Sequence, residues 1–236
     1  MLGIGSQHPR QAPLLARQAP IEYVADQDTA LTALGTATSL LIYLALSRLV
    51  RMPKPLPSDL RFARWLQGLR CPFLDRLMWA VSALGFPPAL PAIPLFASLW
   101  LWRSGLPLEA LGALAATGAG AIATLLKLVA TRPRPDSSMI WVSSPLLSYG
   151  FPSGHTATYT GFCGFLAYLG LVRGRSWPAR RLLPAVCGLI VGLMGPSRVY
   201  RGQHWASDVL AGYALGAGYL LVVLDAYRHL RKIQGR

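Results

Sequence analysis

The stretch SRVYRGQHWASDVLAGYALGAGYLLVVL, residues 197–224, joins a polar turn directly to a long apolar run. The apolar part belongs to segment 206–227, which exceeds the roughly 20 helical residues needed to cross a bilayer core. The preceding turn carries arginine and histidine, and aspartate follows at the start of the apolar part; all three are rare in membrane segments and often functional there. The stretch therefore predicts a membrane helix that begins at a polar site.

The composition of the whole chain also favours a membrane protein. Its 236 residues are 53% hydrophobic and 14% charged, whereas soluble domains have about 25% charged residues. The formal net charge of +14 indicates anionic partners. In such an apolar chain these are phospholipid headgroups or phosphorylated substrates rather than nucleic acid.

The apolar runs predict an all-α fold, a six-span transmembrane helical bundle that occupies residues 29–228. The predicted spans are 29–50, 77–102, 108–130, 153–172, 182–197 and 206–227. Because four prolines interrupt the second span, we expect a kink or a broken end there. Residues 1–28 are predicted to be a polar N-terminal tail, and residues 229–236 a basic C-terminal tail.

The linker between the first two predicted spans, residues 51–76, interleaves basic and apolar side chains. Its arginines are Arg61, Arg64 and Arg70, and its apolar residues include Leu60, Phe62, Trp65 and Leu69. This pattern is typical of a short amphipathic helix that lies in the membrane interface.

Three polar clusters lie at the ends of predicted spans. They are Lys127 with Arg134, then Ser153, Gly154 and His155, and last Arg198, His204 and Asp208. Because successive spans alternate in direction, all three clusters are expected at one end of the bundle, which we call the polar end.

The cations and the helix start at the polar end suit a phosphate group. Arg134 and Arg198 can each direct two N–H groups at phosphoryl oxygens, and Lys127 adds a compact positive charge. Ser153 and Gly154 open a helix, where unpaired backbone N–H groups attract an anion. The sequence therefore predicts a phosphate-binding site.

The acid–base residues of these clusters suit nucleophilic catalysis. His204 and Asp208 are four residues apart, so they share a helix face. A carboxylate there can hold one imidazole nitrogen and leave the other to act as a nucleophile. His155 can then protonate a leaving oxygen.

The motifs Lys-x6-Arg-Pro, Pro-Ser-Gly-His and Ser-Arg-x5-His-x3-Asp, within residues 127–208, match at all eleven named positions. They resemble the three signature motifs of the type-2 phosphatidic acid phosphatase superfamily. The resemblance implies an integral membrane lipid phosphatase with three catalytic residues. His204 would form a phosphohistidine, Asp208 would orient it, and His155 would be the general acid.

The same resemblance implies a phosphate site without metal or cofactor. The implied phosphate-binding residues are Lys127, Arg134, Ser153, Gly154 and Arg198. Independently, the catalytic loops offer only one carboxylate besides Asp208, that of Asp136, which is too few for a magnesium site.

The substrate and the acceptor stay open at this stage. Candidate substrates are phosphatidic acid, phosphatidylglycerol phosphate, undecaprenyl diphosphate and a lipid A phosphate. A lipid phosphotransferase would use the same phosphohistidine, and a non-enzymatic lipid-binding or transport protein is a further alternative.

Four other residues near the motifs carry weaker expectations. Arg132 and Arg201 are equally compatible with interface charges and with substrate contacts. Tyr200 and Trp205 are expected in the aromatic belt of the membrane interface.

Charge asymmetry gives an expected orientation for the bundle. Eleven Lys and Arg lie on the side of the termini and seven on the other side, with five near the motifs set aside. Cytoplasmic loops are enriched in basic residues, although the basic linker argues the other way. We expect a bacterial inner membrane protein whose active site faces the extracytoplasmic side.

Overall fold

A computed structural model of the chain describes residues 21–51, 55–173 and 178–235. Every regular element in these ranges is helical, which confirms the predicted all-α fold. The helices are α1 (Ile21–Leu49), α2 (Pro57–Gly68), α3 (Pro72–Ala83), α4 (Ala89–Arg103), α5 (Pro107–Ala115), α6 (Gly118–Ala130), α7 (Gly154–Arg173), α8 (Leu183–Tyr200) and α9 (Ala206–Ile233). A π-helical turn, Pro178–Leu182, leads into α8.

Four helical stretches are long and apolar enough to cross a membrane within the described ranges. They are Thr29–Leu49, Pro107–Ala130, Arg180–Tyr200 and Ala206–Ile233, and they coincide with the first, third, fifth and sixth predicted spans. The count of six spans itself stays a prediction.

The second predicted span is broken into α3 and α4. The break comprises residues 84–88. It includes Pro87 and Pro88, which lack the backbone N–H that a continuous helix needs. With 15 residues, α4 is about 22 Å long, shorter than a bilayer core of about 30 Å.

Helix α7 coincides with the fourth predicted span and has 20 residues, but it is less apolar than the four stretches above. It packs against α5, α6, α8 and α9, and its polar residues Thr156 and Thr158 are buried. Its hydropathy is low because polar side chains face the interior of the bundle.

The terminal tails overlap the first and last helices. Helix α1 begins at Ile21, within the predicted 1–28 tail, and α9 extends to Ile233, within the predicted 229–236 tail. Residues 1–20 of the N-terminal tail lie outside the described ranges.

Helices α1 and α9 pack along each other, α4 packs on α5, and α3 packs on α8. Phe165 and Met194 are fully buried at the centre of the largest hydrophobic cluster. Large apolar residues such as Phe96 and Val129 are 70% and 81% exposed, as expected for a bundle whose solvent is lipid.

A buried carboxylate ties three helices together at the end opposite the polar end. Glu109, near the start of α5, accepts hydrogen bonds from Arg173 at the end of α7 and, at 2.8 Å, from the Tyr227 hydroxyl of α9. Glu109 is only 3% exposed. This contact fixes α7 at the end away from the three clusters.

Close backbone packing of α7 depends on glycine. A Cβ atom added at Gly161 would lie 2.2 Å from the carbonyl oxygen of Ala116, so only glycine fits without displacing the α5–α6 connection. In contrast, a Cβ at Gly188 of α8 would meet no atom within 4 Å.

We expect Gly161→Ala to destabilise the bundle because the new methyl group must push two backbones apart. A cost of roughly 1–3 kcal/mol for overpacking corresponds to a decrease of roughly 3–10 °C in the thermal unfolding midpoint. The midpoint would be measured on purified protein in detergent. Gly188→Ala is the control, and equal midpoints for the two variants would contradict the packing argument.

Candidate active site

The eight predicted site residues come together at the polar end. Five of them line a cavity of about 530 Å³, namely Lys127, Arg134, Gly154, His155 and His204. The other three, Ser153, Arg198 and Asp208, are completely buried beside it. The structure thus gathers the three clusters where the alternation of spans predicts them.

The turn between α8 and α9 presents His204. Gly202 has a φ of 67°, and a Cβ there would lie 2.1 Å from the carbonyl oxygen of Trp141. The backbone N–H groups of Gln203 and His204 both donate to the carbonyl oxygen of Arg198. A tight turn that requires glycine therefore fixes the His204 backbone against the end of α8.

The imidazole of His204 is buried and held by Arg134. The Nη1 of Arg134 is 2.9 Å from Nε2 of His204, and because a guanidinium can only donate, Nε2 accepts this hydrogen bond. A neutral His204 therefore carries its proton on Nδ1. Nδ1 faces Oδ2 of Asp208 at 3.5 Å, so the predicted His–Asp pair is adjacent but longer than a good hydrogen bond.

Burial lowers the pKa of His204 well below its ordinary value of 6.5, and the positive charges of Arg134, Lys127 and Arg198 lower it further. The imidazole is therefore neutral at pH 7. Its Nε2 lone pair, now engaged by Arg134, is the group that could act as a nucleophile.

Backbone carbonyls of the loop before α7 hold the two cations next to His204. Arg134 donates from Nε to the Ser148 carbonyl at 2.6 Å and from Nη2 to the Ser148 hydroxyl at 2.9 Å. Lys127 donates from Nζ to the Tyr149 carbonyl at 2.9 Å. These hydrogen-bond acceptors are dipoles rather than carboxylates, so an anion would be favoured beside the two cations.

Arg198 is completely buried and only partly paired. Its Nη1 donates to the Ser82 hydroxyl at 2.5 Å, and its guanidinium carbon lies 4.8 Å from the centre of the Phe86 ring. Its Nε and Nη2 have no hydrogen-bond partner in the described part of the chain. Buried N–H groups of this kind are costly unless they bind an acceptor, which suits a phosphoryl oxygen.

The connection between α3 and α4 positions His155. The His155 ring packs edge-on against Phe86, with 5.0 Å between ring centres. A Cβ at Gly85 would lie 1.7 Å from Cδ2 of His155, so the ring packs directly on the Gly85 backbone. The connection is held in turn by a 2.7 Å hydrogen bond from the Tyr159 hydroxyl to the Leu84 carbonyl.

Sequence reasoning missed the contribution of α3 and the α3–α4 connection to the site. Ser82, Gly85 and Phe86 contact Arg198 and His155, yet none belongs to a motif. The available signal was the proline-rich break at Pro87 and Pro88, because irregular backbone at membrane depth is tolerated mainly where it lines a cavity or is buried in protein.

Three weaker expectations change in the structure. Arg132, left open between interface charge and substrate contact, is 4% exposed and paired with Asp59 and Asp208. The expectation that Tyr200 and Trp205 lie in an aromatic belt is wrong, because they are 1% and 2% exposed. Both pack into a buried cluster between α2, α3, α8 and α9.

Across residues 21–51, 55–173 and 178–235, no group of three or more His, Cys, Asp or Glu side chains is arranged to hold a metal ion. Asp136, the second carboxylate of the catalytic loops, is exposed and bonded to the backbone of Ser138. Metal independence stays a prediction for experiment.

Comparison with known proteins identifies relatives. The PAP2 superfamily profile matches residues 107–232, which includes α5 to α9. Phosphatidylglycerophosphatase B of Bacillus subtilis is 31% identical over 153 residues, 63% of this chain and 72% of that protein. Lipid A 1-phosphatase of Rhizobium etli is 32% identical over 115 residues, 46% of this chain and 45% of that protein.

Two solved structures share the fold. One is a transmembrane PAP2-type phosphatidylglycerolphosphate phosphatase from Bacillus subtilis, with a TM-score of 0.71, 24% identity, and coverage of 83% of this chain and 96% of that one. The other is LpxE from Aquifex aeolicus, with a TM-score of 0.56, 23% identity, and coverage of 72% and 96%. With its apolar helices, its eleven matched motif positions and these relatives, the chain belongs to the PAP2 superfamily and is an integral membrane protein.

Proposed function

We propose that this protein is a membrane phosphatase that hydrolyses a lipid phosphate or diphosphate ester through a phosphohistidine on His204. The observation that carries the proposal is the neutral, buried His204 imidazole in one cavity with Lys127, Arg134 and His155. Cations alone would serve a binding protein equally well. A neutral imidazole with an accepting Nε2, placed among them, suits transfer of a phosphoryl group.

The shape of the cavity supports a lipid substrate. Its cationic residues lie at the polar end, whereas its remaining wall includes Leu90, Pro94 and Leu95 of α4 and Leu114 of α5. A phosphorylated headgroup can bind the cations while the tail lies against apolar side chains. The named relatives act on lipids of this kind, which makes phosphatidylglycerol phosphate and lipid A phosphate the first substrates to test.

In the first chemical step, Nε2 of His204 attacks phosphorus and the bond from phosphorus to the leaving oxygen breaks. His155, protonated when the anionic phosphate binds beside it, donates this proton to that oxygen, and the alcohol or phosphate departs. Asp208 stabilises the positive charge that develops on the imidazole, as carboxylates do beside catalytic histidines. Lys127, Arg134 and Arg198 stabilise charge on the transferring phosphoryl group.

In the second step, water attacks phosphorus and the bond from phosphorus to nitrogen breaks. His155, now neutral, accepts a proton from the water, and His204 returns to its neutral form. The Ser153 N–H already donates to the Asp208 carbonyl, so the Ser153 hydroxyl and the Gly154 N–H are the groups that would bind the phosphoryl oxygens through both steps. If a second lipid alcohol replaced water, the same residues would carry out phosphotransfer.

The test is a panel of phosphatidic acid, phosphatidylglycerol phosphate, undecaprenyl diphosphate and lipid A, with released phosphate measured on purified protein. We expect His204→Ala to lower kcat by at least about 10³-fold, because the change removes the attacking Nε2. His229→Ala is the matched control, since His229 is exposed on α9. Rapid quenching with radiolabelled substrate should trap an acid-labile phosphoprotein in wild type only.

Other outcomes would be informative in distinct ways. Phosphorylated lipid product without released phosphate would identify a phosphotransferase. Near wild-type turnover in His204→Ala would remove the nucleophile assignment, and an inactive wild-type protein across the panel would favour a lipid-binding role.

We also expect turnover to be independent of metal. Activity should persist in excess EDTA, because the proposed charge stabilisation comes from Lys127, Arg134 and Arg198. Orthovanadate should inhibit, because it can occupy a site built for a transferring phosphoryl group. A loss of activity in EDTA that Mg²⁺ restores would contradict this prediction.

We further propose that the polar end faces the extracytoplasmic side of a bacterial inner membrane, on the basis of the charge asymmetry. Single cysteines at Ser144 and Ser104 test this, because both are exposed and lie at opposite ends of the bundle. The exposed Cys71 would first be replaced by serine. A membrane-impermeant thiol reagent on intact cells should label position 144 alone, and the reverse pattern would overturn the orientation.

A further inference from the structure

A buried chain of charges lies directly behind the proposed nucleophile. Arg132 donates from Nη1 to Oδ1 of Asp208 at 2.5 Å and from Nη2 to Oδ2 of Asp59 at 2.8 Å. Asp59, Arg132 and Asp208 are 2%, 4% and 0% exposed. This network of three charged side chains reaches from α2, in the linker, to the first turn of α9.

Ser207 completes the hydrogen bonding of this chain. Its backbone N–H donates to Oδ1 of Asp59 at 2.9 Å, and its hydroxyl donates to Oδ2 of Asp59 at 2.6 Å. The hydroxyl also accepts from Nη1 of Arg132 at 2.7 Å. The N–H groups in the first turn of a helix have no acceptor within that helix, and Asp59 accepts one of them at the start of α9. Helix α2 is therefore fixed to the start of the helix that bears Asp208.

The local backbone explains how Arg132 and Arg134 serve different partners. Helix α6 ends at Ala130, and Thr131 has a left-handed φ of 45°. Proline at positions 133 and 135 prevents a further helical turn. In this extended segment Arg134 binds Nε2 of His204, whereas Arg132 binds the carboxylate on the other side of the ring.

The arrangement orients Asp208 towards His204. Arg132 holds Oδ1, while Oδ2 accepts from the Trp205 backbone N–H at 2.9 Å and faces Nδ1 of His204. Since the carboxyl group is planar, fixing Oδ1 determines the direction of Oδ2. Loss of Arg132 would release Oδ1 and leave the direction of the carboxylate to the Trp205 N–H, which restrains Oδ2 alone.

The net charge of Asp59, Arg132 and Asp208 also favours the charge that develops on His204. One arginine lies between two carboxylates, so the positive charge is shared and the three groups together are negative. Asp59 thus keeps Arg132 from neutralising Asp208 completely. The net negative charge remains beside His204, which becomes positive when Nε2 forms its bond to phosphorus.

We propose that Asp59 and Arg132 are positioning residues for the His204–Asp208 pair, so that helix α2 of the linker is part of the catalytic apparatus. The proposal rests on the phosphohistidine function proposed above. It gives the linker, which carries no signature motif, a defined role in turnover.

The test compares Asp59→Asn with Asp225→Asn, a half-exposed carboxylate of α9 that serves as the matched control. Full-length protein in detergent would be assayed with phosphatidylglycerol phosphate and dioctanoyl phosphatidic acid. We expect Asp59→Asn to lower kcat by about 10- to 100-fold through misplacement of the pair, with KM changed less than about 3-fold because Asp59 does not line the cavity. Asp225→Asn should match wild type.

A double-mutant cycle separates positioning from a structural effect. In an Asp208→Asn background, Asp59→Asn should lower kcat less than about 2-fold further, because its effect passes through the Asp208 carboxylate. A further loss as large as that in the wild-type background would overturn the proposal, as would wild-type kcat in the single variant.

Orthovanadate affinity provides a readout that needs no turnover, because vanadate can bond to a neutral imidazole nitrogen. Asp59→Asn should weaken vanadate binding by about 10-fold, measured by calorimetry, with no change for Asp225→Asn. If wild type hydrolyses no lipid of the panel, the proposed function fails while this measurement still decides the positioning role. Unchanged vanadate affinity in Asp59→Asn overturns that role.

If Asp59→Asn is not recovered as folded protein, Arg132→Lys carries the same test. Lysine keeps the charge but lacks the planar fork that reaches both carboxylates and Ser207. The same loss of kcat and vanadate affinity is expected, and wild-type values for Arg132→Lys would overturn the proposal.

Discussion

The Asp208 carboxylate has no exposed surface. The polar end is arranged so that other groups replace the water that this carboxylate has lost. Removing an ion from water costs on the order of several kcal/mol unless partners replace its hydration. Arg132, the Trp205 N–H group and the start of α9 supply those partners. Arg132 lies in the α6–α7 loop and the other two partners lie at the start of α9, so the charge can be buried only when both segments are correctly placed.

The bundle meets this requirement by fixing α7 at both of its ends. At one end Arg173 binds the buried Glu109, and at the other the Ser153 N–H donates to the Asp208 carbonyl at 2.9 Å. Between them, Gly161 allows close contact with the connection after α5. A rigid α7 places His155 opposite His204 without relying on flexible loops, as catalysis by positioning requires.

Local patterns in the sequence predicted the residues that share a helix end or a short turn. The spacing of His204 and Asp208, and the alternation of spans, located the three clusters. Partners that are distant in the chain could not be predicted. Arg132 pairs with Asp59 and Asp208 at separations of 73 and 76 residues, and its sequence context is the same as that of an interface arginine. Tyr200 and Trp205 likewise resemble belt residues because they flank spans, although α2 covers them.

Arg134 occupies Nε2 of His204 and the Ser148 oxygens at the same time, and this has a consequence for chemical selectivity. The lone pair that would attack phosphorus is already hydrogen-bonded, so an uncharged electrophile such as a glycerolipid ester meets a masked nucleophile. Only a ligand with enough negative charge to draw the guanidinium towards itself unmasks the imidazole. In the proposed reaction the phosphate group is therefore both the reactant and the group that draws Arg134 away from Nε2.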